Sequence, residues 1–184
     1  MSTPATERLT PFSYVILALV GRGGAGPHDI VRMMREGAMF WTTSESHFYA
    51  EPKRLAKLGF LQGRTEPGRT GPRTHYELTE TGLQALTEWL AKPAAMPRVQ
   101  HEGMVKLLAA DLSDDATIQA SLAGLRSELE RSYRNLEVME RRAASLPHRE
   151  RYLKLINDYG RRSLDAQCEW LDAVERELDR RDPA

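Results

Sequence analysis

Apolar positions recur every three or four residues over most of this 184-residue chain, and the departures from that rhythm mark its elements. Thr10-Pro11 starts a helix with a hydroxyl at the N-cap and proline at the first helical position. The run Phe12 to Val20 is apolar on nearly every side, so this helix is expected to be buried, and Gly21 to Gly26 stops it. Pro27 restarts a helix through Glu36, with Ile30, Met33 and Met34 turned inward and Arg32 and Arg35 outward. A third helix follows from an N-cap at Ser44, with Phe48, Leu55 and Leu58 at helical spacing and Gly59 as its stop. Pro52 cannot donate to the residue 48 carbonyl and is expected to bend this helix or split it in two.

The period then changes from helical to alternating. Residues 60–65 and 74–78 predict two short strands joined by the turn-rich EPGRTGPR tip, and Thr79 caps a fourth helix with Leu83, Leu86 and Leu90 on one face. Lys92-Pro93 begins a linker through Pro97. Beyond residue 98 the text is helical again. Ile118, Leu122, Leu125, Leu129, Tyr133, Leu136 and Met139 step by three and four; after a break at Pro147, Tyr152, Ile156, Tyr159, Ser163, Ala166, Trp170 and Val174 do nearly the same. Two long amphipathic helices with near-heptad seams predict self-association, because a lone hairpin leaves one apolar flank wet.

The prediction is a mainly α protein. Residues 1–92 form an N-terminal winged helix-turn-helix with a two-stranded wing, and residues 93–184 form a C-terminal long-helix dimerisation domain.

Charge sharpens this picture. Lys+Arg and Asp+Glu balance at 26 each, so a whole-chain pI near 7 conceals an uneven distribution. Between residues 53 and 76, Lys53, Arg54, Lys57, Arg64, Arg69 and Arg73 stand against Glu66 alone, a local excess of five positive charges. A helix followed by a basic hairpin suits double-stranded DNA. Cys168 is the single cysteine, which excludes a disulfide within the chain. No apolar run is long enough for a bilayer and no signal-peptide core opens the chain, so a cytoplasmic protein without a membrane partner is expected.

The motifs resemble those of the PadR family of transcriptional regulators. They are Ser44, Ser46, Phe48 and Tyr49, then Lys53-Arg54-Leu55 and Gly59-Phe60-Leu61, then Gly71-Pro72-Arg73 leading to Tyr76-Glu77-Leu78-Thr79-Glu80-Thr81-Gly82. The half from Val99 through Lys106-Leu107-Leu108 to Trp170-Leu171 is similar to the long helical tail of the family's virulence-activator branch. Two positions depart from the pattern: His28 stands where the second helix normally carries an aromatic, and Pro52 where the third carries leucine.

The resemblance implies a repressor, a homodimer through its C-terminal helices on a pseudo-palindromic operator, released by an aromatic or phenolic effector bound near the junction of the halves. Ser44, Ser46 and His47 stand at the N-terminal end of the recognition helix, where small hydroxyls approach base edges. Tyr49, Lys53 and Arg54 are expected on phosphates, and Arg69, Thr70 and Arg73 at the wing tip. Trp41, Trp89 and Trp170 are the candidates to line an effector cleft.

Other readings carry less. Gly21-Arg22-Gly23-Gly24-Ala25-Gly26 fits G-x-G-x-x-G, but the preceding run starts as a helix and no strand–helix alternation follows, so a nucleotide-binding enzyme is not expected. The five histidines show no metal-ligand spacing and no G-x-S-x-G elbow occurs, so neither catalytic residues, nor metal, nor cofactor is expected. His101-Glu102 reads as polar capping. A helical interaction module without DNA binding is the remaining alternative.

Overall fold

The computed structural model describes residues 9–21, 23–36, 41, 43–67 and 71–180. They fall into two compact units, Met1–Met96 and Pro97–Ala184, each with its own apolar core.

In the first unit, α1 (Pro11–Val20) starts from a reciprocal cap. Thr10 Oγ1 accepts from the Ser13 N–H, and Ser13 Oγ accepts from the Thr10 N–H at 2.9 Å. This helix packs against α2 (Pro27–Glu36), α3 (Glu45–Lys57) and α4 (Glu80–Leu90), which accounts for its all-round apolarity: Ile16, Leu17 and Val20 are buried. Between α3 and α4 lies the antiparallel pair β1 (Leu61–Glu66) and β2 (Arg73–Leu78), in register from Leu61 opposite Leu78 to Glu66 opposite Arg73. The α3–β1 corner turns at Gly59, whose φ of +82° lies in the left-handed region, and the Phe60 N–H donates back to the Leu55 carbonyl at 3.0 Å.

Two expectations need correcting here. Pro52 does not split the third helix: α3 runs unbroken through it with the ring fully buried, so apolar burial offsets the missing backbone bond. On α4 the expected leucine face is only partly inward. Leu86 is buried beside Gly82 and Ala85, whereas Leu83 and Leu90 stay exposed, Leu90 at 68%.

The Gly21–Gly26 stretch connects α1 to α2, and its Gly24 and Gly26 lie close to the backbone of β2. Ala25 forms an isolated antiparallel bridge with Tyr76 of β2, exchanging hydrogen bonds of 2.9 and 3.0 Å. Gly24 has φ +70°, and a Cβ there would lie 2.9 Å from the Tyr76 carbonyl oxygen. The letter pattern of a phosphate loop is thus a loop laid against a strand. The described strands form one two-stranded antiparallel sheet.

The second unit opens with α5 (Glu102–Leu108), capped as expected by His101, whose Nδ1 accepts from the Met104 N–H at 3.3 Å. A short 3-10 turn, Ala110–Leu112, leads to α6 (Asp115–Ala144), which packs antiparallel on α7 (Glu150–Leu178). Most of the buried seam recurs every seven residues, with Leu122, Leu129, Leu136 and Ala143 on α6 and Asn157, Leu164 and Leu171 on α7, while Ile118 and Gly160 are buried beside it. Ion pairs flank it, with Arg126 on Asp172 and Glu175 at 2.6 Å each and Arg161 on Glu140 at 2.8 Å.

The α7 stripe expected from sequence is met only in its second half, where Trp170 and Val174 pack against the seam. Tyr152, Ile156 and Tyr159 do not face α6; they are exposed on the neighbouring flank at 64, 42 and 55%. Among the described residues no helix is long and apolar enough to cross a membrane.

Candidate nucleic-acid interface

The exposed end of α3 carries a cluster of short polar groups. Ser44 has N-cap backbone geometry, but its hydroxyl does not cap the helix; it lies 3.0 Å from Ser46 Oγ and 3.2 Å from His47 Nδ1. Thr43 Oγ1 also reaches His47 Nδ1, at 2.8 Å. No side chain caps the first turn of α3, and the His47 N–H donates to the Ser44 carbonyl at 3.1 Å. Outward positions then continue along one side as Ser46, Ala50, Lys53 and Lys57, at steps of four, three and four. Thr43, Ala50 and Lys57 are absent from the set expected from sequence. The stripe's period supplies the signal for the latter two, while Thr43 precedes the helix and gives none.

The opposite face of α3 is anchored, and Arg54 belongs to the anchor. Its guanidinium donates to Glu51 through Nε at 2.8 Å and Nη2 at 2.6 Å, and Nη2 also donates to Ser13 Oγ at 2.9 Å. Ser13, fully buried, donates to Glu51 Oε1 at 2.6 Å. The same Ser13 closes the cap of α1, so this network ties the start of α1 to the middle of α3. Arg54, expected on phosphate, is occupied holding the helix in position.

Burial alone would raise the Glu51 carboxyl. Hydrogen bonds from Arg54 and Ser13 outweigh it and leave the group below its ordinary value. A depressed folded value stabilises above the unfolded one and is lost as pH falls through the folded one. Glu51→Gln should therefore cost about 1–3 kcal/mol at neutral pH, with the deficit shrinking below about pH 4.5. Urea unfolding at pH 7 and in acid checks this; a pH-independent deficit would contradict it.

Tyr49 is half-buried against the core, and its hydroxyl lies 3.4 Å from His28 Nδ1, the two rings edge-on at 5.9 Å. The histidine that replaces the usual aromatic on α2 thus packs on α3.

The wing is less positive than its sequence. Its inner face buries Leu61 and Tyr76, while Gln62, Arg64 and Glu66 share the outer face with Glu77, His75 and Arg73. Arg64 pairs with Glu77, and Arg73 lies 3.4 Å from Glu66. The excess counted over residues 53–76 omits Glu51 and Glu77, which the fold brings onto Arg54 and Arg64. Arg69 and Thr70, expected at the wing tip, lie outside the described residues.

Each tryptophan has an aromatic neighbour within its own unit. Trp41 packs near Phe12 (centroids 6.3 Å), Trp89 stacks on Tyr14 (4.9 Å, 11°) and Trp170 meets His101 edge-on (4.9 Å, 77°).

Comparison with known proteins agrees with this architecture. Residues 99–179 match the family model described as Virulence activator alpha C-term. Over 181 residues the chain is 29% identical to the negative transcriptional regulator PadR of Bacillus subtilis (strain 168), covering 91% of this chain and 97% of that protein. The crystal structure of Bacillus subtilis PadR in complex with operator DNA is similar with a TM-score of 0.73 at 24% identity, over 93% of this chain and 97% of that one. Its complex with p-coumaric acid gives 0.65 at 23% identity, over 91 and 98%. The Vibrio cholerae virulence activator AphA gives 0.67 at 25% identity, over 91 and 97%. Over nearly its whole length the chain is therefore similar to PadR-type transcriptional regulators, and its C-terminal half is similar to that of the virulence activators.

Proposed function

We propose that this regulator is a homodimeric repressor whose two winged units read the half-sites of a pseudo-palindromic operator, and that an aromatic or phenolic molecule releases it. The observation that carries the reading is the outward stripe of α3. Small hydroxyls and an imidazole stand at its open N-terminal end, Lys53 and Lys57 lie further along, and a two-stranded wing stands alongside. Ser44, Ser46 and His47 approach base edges; Lys53 grips phosphate, and Tyr49 serves beside His28 at the helix margin. Arg69, Thr70 and Arg73 supply the wing's contacts.

About three to five phosphate contacts per protomer give weak, salt-sensitive binding. Selective affinity comes from joining two such readers. The exposed apolar flank of α7 supports residues 93–184 as the joining element and residues 1–92 as the DNA-binding one. The full-length relative named a negative regulator supports repression, and the p-coumaric acid complex of Bacillus subtilis PadR supports release by a phenolic compound.

Fluorescence anisotropy on a duplex from the gene's own upstream region tests the reading, which expects sequence-selective binding that weakens with salt. Indifference to every duplex in dilute buffer would overturn it. Replacing Arg69 and Arg73 by Ala should flatten the slope of log affinity against log salt by about one to two per protomer. An unchanged slope would remove the wing from the interface.

A further inference from the structure

Two acids stand near the start of α3, and both are committed elsewhere. Glu45 is held by Arg35 of α2 at 2.7 Å. Glu51 is held by Arg54 and by Ser13 of α1, at 2.6 Å each. Between them lies His47, an exposed residue whose ring packs on Phe12 of α1 with centroids 6.3 Å apart at 59°. Its Nδ1 meets two hydroxyls, Thr43 Oγ1 at 2.8 Å and Ser44 Oγ at 3.2 Å. Nε2, on the far edge of the ring, has no hydrogen-bond partner among the described residues.

The hydroxyls decide which nitrogen carries the proton. Hydroxyl donors make shorter bonds than N–H donors, and the Thr43 contact at 2.8 Å has the hydroxyl length. Thr43 therefore donates to Nδ1, while Ser44 Oγ has Ser46 Oγ as a further neighbour at 3.0 Å. In a neutral imidazole, a nitrogen that accepts leaves the proton on the other, so Nε2 is an outward N–H donor.

We propose that His47 reads a guanine in each half-site, its Nε2–H donating to the N7/O6 edge in the major groove, and that Thr43 is the positioning residue that holds the ring in this tautomer. A lone donor is best matched by guanine, which presents two adjacent acceptors there. Adenine sets an amino group beside its N7, thymine sets a methyl group beside its O4, and cytosine offers a donor. With Glu45 drawn back onto Arg35, no carboxylate of the first turn competes for the same proton. This deepens, and rests on, the reading of α3 as the recognition helix.

Fluorescence anisotropy on a duplex from the gene's own upstream region, with its G·C pairs changed one at a time to A·T, tests the contact. One pair in each half-site should cost the unaltered protein about tenfold in affinity. The same change should cost His47→Ala about twofold or less. Thr43→Val keeps the side-chain shape and removes the hydroxyl, so it should lower discrimination at that pair and at no other, with circular dichroism and melting unchanged. Nitrogen NMR of the imidazole at about pH 8, where histidine is ordinarily neutral, reads the tautomer directly. The proton should sit on Nε2 in the unaltered protein and be shared between the two nitrogens in Thr43→Val.

His47→Ala that loses affinity equally on every duplex, with a shallower salt slope, would put the imidazole on phosphate and overturn the proposal. So would a proton on Nδ1 in the unaltered protein, or a Thr43→Val variant with tautomer and discrimination both unchanged. Selective binding in which no pair depends on His47 would overturn this inference and leave the recognition helix standing. Indifference to every duplex, with the proton on Nε2 all the same, would instead bring down the recognition reading itself.

Discussion

Replacing Ile156 and Tyr159 together by glutamate should convert the protein to a monomer and weaken operator binding by about a hundredfold or more. Both side chains stand on the flank of α7 turned away from α6, so the substitution spares the Leu164 and Leu171 seam and should leave the helix content intact. The size of the effect follows from linkage. Once one winged unit is bound, a joined partner meets the second half-site at an effective concentration near millimolar, and a monomer loses that gain. Sedimentation velocity and anisotropy on full and half-operator duplexes read the result. Half-site binding should change little. A variant that stays dimeric would move the interface off this flank.

Gly82→Ala should destabilise the winged unit by about 3 kcal/mol or more, lowering its melting temperature by about 10 °C or more. The reason lies where α4 begins. Thr79 Oγ1 accepts from the Gly82 N–H at 3.0 Å and donates to the Gly59 carbonyl at 2.6 Å, while the Thr79 N–H donates to the Phe60 carbonyl at 3.2 Å. This lacing presses the first turn of α4 onto the 59–60 backbone, and a Cβ on Gly82 would lie 2.0 Å from the Phe60 carbonyl oxygen. Backbone cannot swing aside as a long side chain does, so α4 or the β1 origin must shift. Gly124→Ala on α6 is the control: nothing lies within 4 Å of its Cβ, so it should gain up to about 1 kcal/mol of helix propensity. Stability that rises in both variants would show that the α4 contact relaxes freely.

The T-E-x-G of the exit motif thereby acquires a physical meaning. Threonine supplies the cap and glycine supplies the close approach, and the two hold the wing's base to α3.

Where a residue's local neighbours decide its state, the sequence was sufficient. Thr10-Pro11, Gly59, Thr79 and His101 end or begin their helices through groups three or four residues away, and all four boundaries were legible. The alternation around residues 61–66 and 73–78 likewise announced the wing to within a residue. Composition and periodicity therefore determined the element order of the winged unit, the mainly helical class and the two long helices of the tail, though not the short helix Glu102–Leu108 before them.

What the tertiary structure decided was which of several equivalent neighbours each side chain meets. On α7 two apolar stripes run side by side, one through Ile156, Ser163 and Trp170 and the other through Leu164 and Leu171, and a period of 3.6 cannot choose between them. The chain folds with the second inward, because its leucines interdigitate with Leu129 and Leu136 while the bulkier tyrosines stay at the surface. Arg54 looks like a surface cation until α1 brings Ser13 beside it, and the wing's charge looks unopposed until strand pairing sets Glu77 on Arg64. Local sequence dictates conformation through bonds a few residues long; charge balance and interface depend on partners tens of residues away, which only the closed chain brings within reach.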